Sequence, residues 1–279
     1  MFKQLGDLIW GEETGKEESL QDDMKQAQLY TSLGKKYANN KPSLGTHFYV
    51  LALETLMARR NEYSTQERAM REGMAAQIMG EAKATKGVVN ASIQQALTSP
   101  FNKEIYSCLV QDPNQVKFAD IAGLETAKQI VYESLVYPSR RPDIFTGLRA
   151  PTKGILLYGP PGNGKTMVAR AIACEAGFKF YNISAGTLLS KFVGESEKLV
   201  KALFSMARMT QPSVIFIDEI DSILSQRSSG EQDHVRKVKN EFLIQFEGVA
   251  SSGEDWVFVV AATNRPYDLD SAVLRRFVE

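Results

Sequence analysis

The eight residues "GPPGNGKT", Gly159 to Thr166, restrict what this chain can fold into more than any other stretch. They follow the apolar run "ILLY" and open "MVARAIACEAG", whose apolar residues recur at helical spacing. The pattern is G-x-x-x-x-G-K-[ST] between a strand and a helix, and that context calls for an α/β layer. There, backbone N–H groups of the glycine loop and the positive end of the helix dipole gather around an anion. The motif therefore predicts a nucleotide phosphate site. Gly159, Pro160, Pro161, Gly162, Asn163 and Gly164 form its loop, and Lys165 reaches the β and γ phosphates. Thr166 offers a hydroxyl to Mg2+, and Met167 completes the nucleotide-binding stretch.

Three further apolar runs, "KFYNIS", "SVIFID" and "WVFVVAAT", suit strands covered on both faces, and amphipathic stretches such as "EKLVKALFSMAR" separate them. Together with "GILLYG" they predict a parallel sheet with helices between its strands. Asp218 emerges at the end of "SVIFID", where a carboxylate can hold the water shell of Mg2+, and Glu219 is the candidate base for an attacking water. Acidic pairs after strands are also common as solvated turns. Asn264 ends "VVAAT", where its amide can orient that water or contact a γ phosphate; a turn-forming asparagine before "RP" is the alternative.

The first 90 residues carry helical spacing instead. Leu20, Met24, Ala27, Tyr30, Leu33 and Tyr37 mark one helix, and "NNKPSLG" breaks it. A second follows in "THFYVLALETLMARR". A third starts at "STQE", where Ser64 and Glu67 have capping-box spacing, with Met70, Met74 and Ile78 on its buried face. The expected organisation is a three-helix bundle over 15–90, a short link over 91–101 and the α/β region over 102–279.

Lysine plus arginine and aspartate plus glutamate both number 33, so no overall field draws in nucleic acid or anionic lipid. Two cysteines, Cys108 and Cys174, cannot form a disulfide framework and fit a reducing compartment. The N-terminal "MFKQLGDLIWGEETGKEE" is acidic where a signal peptide needs an apolar core, and no window resembles a transmembrane segment. A soluble protein of the cytoplasm or nucleus is expected.

From about Phe101 to Glu279 the chain resembles the AAA ATPases. "GPPGNGKT" matches their Walker A, "IFIDEID" their Walker B, "AATNRP" their sensor 1 region and "FADIAGLETAKQIVYESLVYPSRRPDIF" the segment leading into the domain. Within that family it is most similar to the microtubule-severing branch of the meiotic clade, and the N-terminal helices resemble an MIT domain. The resemblance implies a P-loop α/β fold, ATP and Mg2+ as ligands, and nucleotide contacts from Ile121 and Ala122. It implies a homo-hexamer that pulls tubulin C-terminal tails through a central pore, severing microtubules in the cytoplasm. "SKFVGESEK" would be the pore loop, with Lys191, Phe192 and Val193 gripping the threaded chain; a core position is the alternative for Phe192. "SSGEQDHVRK" would be a second pore loop with donors His234, Arg236 and Lys237, or else a polar surface loop. Arg275 and Arg276 match the paired arginines that reach into the neighbouring subunit's ATP site.

Two alternatives accompany that reading. One is disassembly of membrane-remodelling filaments, with the MIT-like bundle binding filament proteins. The other is a non-catalytic adaptor that binds helical peptides. Two departures from the family accompany them. Microtubule-severing relatives carry a long basic segment before the domain that binds the lattice, whereas here the link is short and contains few lysines, which puts lattice binding in question. The family's last strand and helical lid would lie beyond Glu279, so a truncated product is expected, with weak ATP binding, no stable hexamer and little hydrolysis by residues 1–279 alone.

Overall fold

The stretches with helical spacing pack as three helices in the computed structural model, which describes residues 16–58, 65–110, 116–145, 147–190, 195–225 and 233–277. The chain divides into two compact units, Met1–Ser92 and Ile93–Glu279. In the first, α1 (Lys16–Ala38), α2 (Pro42–Met57) and α3 (Thr65–Ala96, whose last residues belong to the second unit) carry the bundle. Tyr30 and Tyr37 of α1 stack on Phe48 of α2 at centroid distances of 6.4 and 5.8 Å. The two helices approach closely because a Cβ on Gly34 would lie 2.6 Å from the Tyr49 ring and one on Gly45 2.9 Å from the Ala38 backbone.

Three sequence expectations shift here. "PSLG" belongs to the first turn of α2, with Pro42 where its missing N–H is no loss. Ile78 is buried as expected and Met74 half-buried, but Met70 is 57% exposed, and Arg71, Ala75 and Thr85 complete the buried stripe of α3. An apolar stripe through 70, 74 and 78 fits helical spacing equally well, and two polar members disguise the true one. Residues 91–101 are helical to Ala96 and again from Pro100.

The second unit begins with α4 (Pro100–Ser107) and a two-residue strand β1 (Leu109–Val110). A short turn of 3₁₀ helix, Phe118–Asp120, precedes α5 (Glu125–Val131), a π-helical turn and α6 (Tyr137–Arg140). Then alternate β2 (Gly154–Tyr158), α7 (Lys165–Ala176), β3 (Lys179–Ser184), α8 (Ala185–Ser190), α9 (Ser196–Met209), β4 (Ser213–Asp218), α10 (Asp221–Leu224), α11 (Asp233–Ser251), β5 (Val257–Thr263) and α12 (Ser271–Leu274). The strand order is β1-β3-β4-β5-β2. All pairings are parallel except β1 with β3, an antiparallel addition that two residues could not announce.

β4 and β5 are central and buried along nearly their whole length. Ile215, Ile217, Val257 and Val259 join one continuous core with Phe204 of α9 and Phe246 of α11. The alternate residues Phe180, Phe216 and Phe258 point to the opposite face, where Phe180 stacks on Phe216 and Phe178 on Phe258. No helix among the described residues is long and apolar enough to cross a membrane.

Candidate functional site

Parallel register puts the carboxyl ends of three strands side by side. Leu157 pairs with Ala262 and Tyr158 with Thr263, while Ile217 pairs with Ala261. Gly159, Asp218 and Asn264 therefore leave the sheet at one edge, where open α/β sheets bind ligands.

The loop after β2 is built for close backbone approach. Gly159, Gly162 and Gly164 have φ of 142°, 82° and 77°, a region other residues rarely adopt, and nothing lies within 4 Å of a Cβ placed on Gly162 or Gly164. Gly164 caps α7, so Lys165 and Thr166 occupy its first turn. Lys165 Nζ donates to the carbonyls of Gly159 and Pro160, both at 3.0 Å, and to Asn264 Oδ1 at 2.8 Å. A lysine and an asparagine far apart in the chain thus meet above the sheet edge.

At the end of β4, Asp218 Oδ1 accepts the backbone N–H of Glu219 at 2.9 Å. Glu219 has φ of 53°, unusual outside glycine and strained by roughly 1–3 kcal/mol. Bonds on either side hold it: Ile220 N–H donates to Ala262 O, and Ser222 N–H to Glu219 O, both at 3.0 Å. The turn leaves the Glu219 carboxylate exposed while Asp218 stays half-buried. Asp218 Oδ2 and Thr166 Oγ1 have no hydrogen-bond partner among the described residues, and a carboxylate plus a hydroxyl are the hard oxygen donors that suit Mg2+. Met167 is 46% exposed beside them in α7.

Two positioning residues escape a sequence reading. Thr263 Oγ1 donates to Asp221 Oδ1 at 2.6 Å and accepts the N–H of Arg265 at 2.9 Å, fixing the turn that carries Asn264. Asp221 lies three residues beyond Asp218 in the same acidic cluster, which is the only signal for it. Ile121 and Ala122 lie beyond the 3₁₀ turn, where Ile121 O accepts Lys128 Nζ at 2.6 Å and Phe118 N–H reaches Glu175 Oε1 at 3.4 Å. No hydrogen bond among the described residues joins Ile121 or Ala122 to the loop after β2.

The two arginines differ. Arg276 is held by Ala272 O at 2.6 Å and by Glu247 Oε2 of α11 at 3.0 Å, whereas Arg275 is exposed and its guanidinium has no partner among the described residues. His234, half-buried, and exposed Arg236 and Lys237 lie in the first turn or so of α11. Lys191, Phe192 and Val193 lie outside the described residues.

A family model, "ATPase family associated with various cellular activities (AAA)", matches residues 155–279 and so spans the loop, the acidic pair, Asn264 and the arginines. This region is an AAA domain.

The chain is 60% identical to spastin of Rattus norvegicus and 59% identical to spastin of Homo sapiens, in each case over 171 residues and 61% of its length. Those matches span 29% and 28% of the relatives' own length, so the chain covers less than a third of them. Among solved structures, the FIGL-1 AAA domain in complex with ADP is similar at a TM-score of 0.57 and 50% identity, covering 63% of this chain and 60% of that one. A structure described as the basis for katanin self-assembly has a TM-score of 0.54 at 40% identity, covering 64% and 57%. With neighbours at these identities, the fold of the AAA domain and its likeness to spastin agree with the expectation from the motifs.

Proposed function

We propose that this chain forms the ATP-hydrolysing part of a subunit of a homo-hexamer that severs microtubules by drawing tubulin C-terminal tails through a central pore. The Lys165–Asn264 hydrogen bond carries the catalytic half of this reading, because it joins a phosphate-binding lysine to a sensing amide at the sheet edge. The similarity to spastin supports the microtubule substrate, and the katanin self-assembly structure supports the oligomer. The three-helix bundle and the AAA domain would divide the labour between recruitment and ATP hydrolysis.

Lys165 and the backbone N–H groups of 159–166 would bind the phosphates, and Ile121, Ala122 and Met167 would line the nucleotide. Thr166 and Asp218 would hold Mg2+, which when bound neutralises charge on the phosphate oxygens. The exposed Glu219 carboxylate would take the proton of the attacking water, with Asn264 fixing that water's orientation. Arg275 would stabilise charge at the neighbouring subunit's γ phosphate. Lys191, Phe192 and Val193 would grip the threaded chain, with His234, Arg236 and Lys237 as a second ring.

A further role follows from an apolar groove between α2 and α3 lined by Leu53, Met57, Glu72, Ala75 and Met79. It would take an amphipathic helix from a membrane-remodelling filament protein, bringing this ATPase to membranes while the motor remains cytoplasmic and microtubule-associated.

Glu219→Gln tests the catalytic reading in the full-length protein. It should keep ATP affinity while turnover falls by about 10² to 10⁴ or more. Paired nucleotide titration and steady-state phosphate release read both, and near-normal turnover would remove Glu219 from the mechanism.

A further inference from the structure

Among the described residues, Lys239 is the one lysine whose side chain the core has swallowed: it is 2% exposed, in α11 beside the apolar Val238 and Phe242. Its Nζ donates to Ser225 O at 2.6 Å and pairs with Asp270 Oδ2 at 2.9 Å. Burying an ammonium is expensive, and a well-packed apolar residue of the same volume often serves stability as well or better. The pair therefore has to be understood by what it joins.

It joins three segments. Ser225 ends the stretch that leaves Glu219 through α10. Lys239 itself belongs to α11. Asp270 caps α12, accepting the Ala272 N–H at 2.9 Å, and α12 delivers Arg275. The backbone reinforces the joint: Asp270 N–H donates to Leu224 O at 3.0 Å, and Ser225 bridges to Leu269. Arg275 has no tether of its own among the described residues, so its pose is inherited from α12.

We propose that the buried Lys239–Asp270 pair sets the pose of Arg275, which makes Lys239 a positioning residue for phosphoryl transfer at the neighbouring subunit's site. The proposal rests on the reading above in which Arg275 acts across the subunit boundary.

Mixing experiments on the full-length protein test it. A Glu219→Gln subunit cannot hydrolyse ATP but presents an intact Arg275; a Lys239→Met subunit keeps Lys165, Asp218 and Glu219 but presents a displaced Arg275. Each alone should turn over slowly. A 1:1 mixture should exceed the sum of the two by about threefold or more, a modest share of the roughly 10³ to 10⁵ that such an arginine supplies. Arg275→Ala mixed with Glu219→Gln is the reference and should rise in the same way. Lys239→Arg keeps the charge and should recover most of the turnover on its own. Asp270→Asn keeps a capping oxygen while removing the pair; it should behave as Lys239→Met does, and it replaces that variant if circular dichroism shows Lys239→Met to be unfolded.

A mixture of Lys239→Met, or of Asp270→Asn, that stays at the sum while the Arg275→Ala mixture rises would overturn the positioning role. If the Arg275→Ala mixture also stays flat, the cross-boundary reading fails and the proposal goes with it.

Discussion

Arg275 and Arg276 are adjacent and chemically identical, yet their surroundings assign them different work. Arg276 is tied to Glu247 and to the Ala272 carbonyl, so it braces α12 against α11; the exposed Arg275 guanidinium has no partner among the described residues. Arg275→Ala should therefore lower turnover of the assembled protein by about 10³ or more while leaving the melting temperature unchanged. Arg276→Ala should lower the melting temperature by a few degrees, since an exposed ion pair contributes only about 0–1 kcal/mol and the carbonyl bond about 1 kcal/mol more. Phosphate release and thermal melts on both variants decide this, and equal loss of turnover with equal stability would erase the distinction. Much of this site is legible from residue types alone. Lys165 stands out through its glycine loop, and Asp218, Glu219 and Asn264 stand out as candidates because they follow apolar runs that read as buried strands. Asp221 and Lys239 do not, because a charge in a sequence reads as solvated until a distant partner, Thr263 or Asp270, is known to face it.

Elements differ in legibility for a physical reason. β2 to β5 are readable because each is a strand of five to seven residues with a buried apolar stretch, enough for the run to stand out. β1 has two residues and no period to detect. In α3 the apolar spacing through Met70 and the true stripe through Arg71 satisfy the same helical rule, and only packing against α1 and α2 chooses between them. α2 carries a second hidden feature. His47 Nε2 is enclosed although the residue as a whole is half-buried, and burial holds its pKa down to about 4, from a usual value of 6.5. The folded bundle thus resists protonating a ring that the unfolded chain protonates readily. Stability is complete above about pH 6.5 and falls as pH drops towards 4, by roughly 1–3 kcal/mol once partial exposure is allowed for. Urea melts of the wild type and of His47→Gln, followed by circular dichroism at pH 7 and pH 4.5, check this. The wild type should lose more between the two conditions than the variant does, and identical losses would acquit His47.

At the scale of the whole molecule, the proposed cycle couples ATP hydrolysis to work on a polymer. Phe192 is its most direct test. If the aromatic grips a threaded chain, Phe192→Ala in the full-length protein should abolish severing of microtubules while basal hydrolysis in their absence stays within about twofold. If it is a core residue, the loss of about 3–5 kcal/mol should unfold the domain and remove both activities. Microscopy of labelled microtubules beside a phosphate-release assay separates the two. The three bonds of the Lys165 ammonium bear on the same cycle from the other end. One ammonium cannot serve Gly159 O, Pro160 O and Asn264 Oδ1 and also pair with phosphates, so a nucleotide entering the loop meets an internal competitor. On the proposed role of Lys165, phosphate binding would have to break some of these bonds, so part of the binding free energy would go into releasing the ammonium and, with it, the amide oxygen of Asn264.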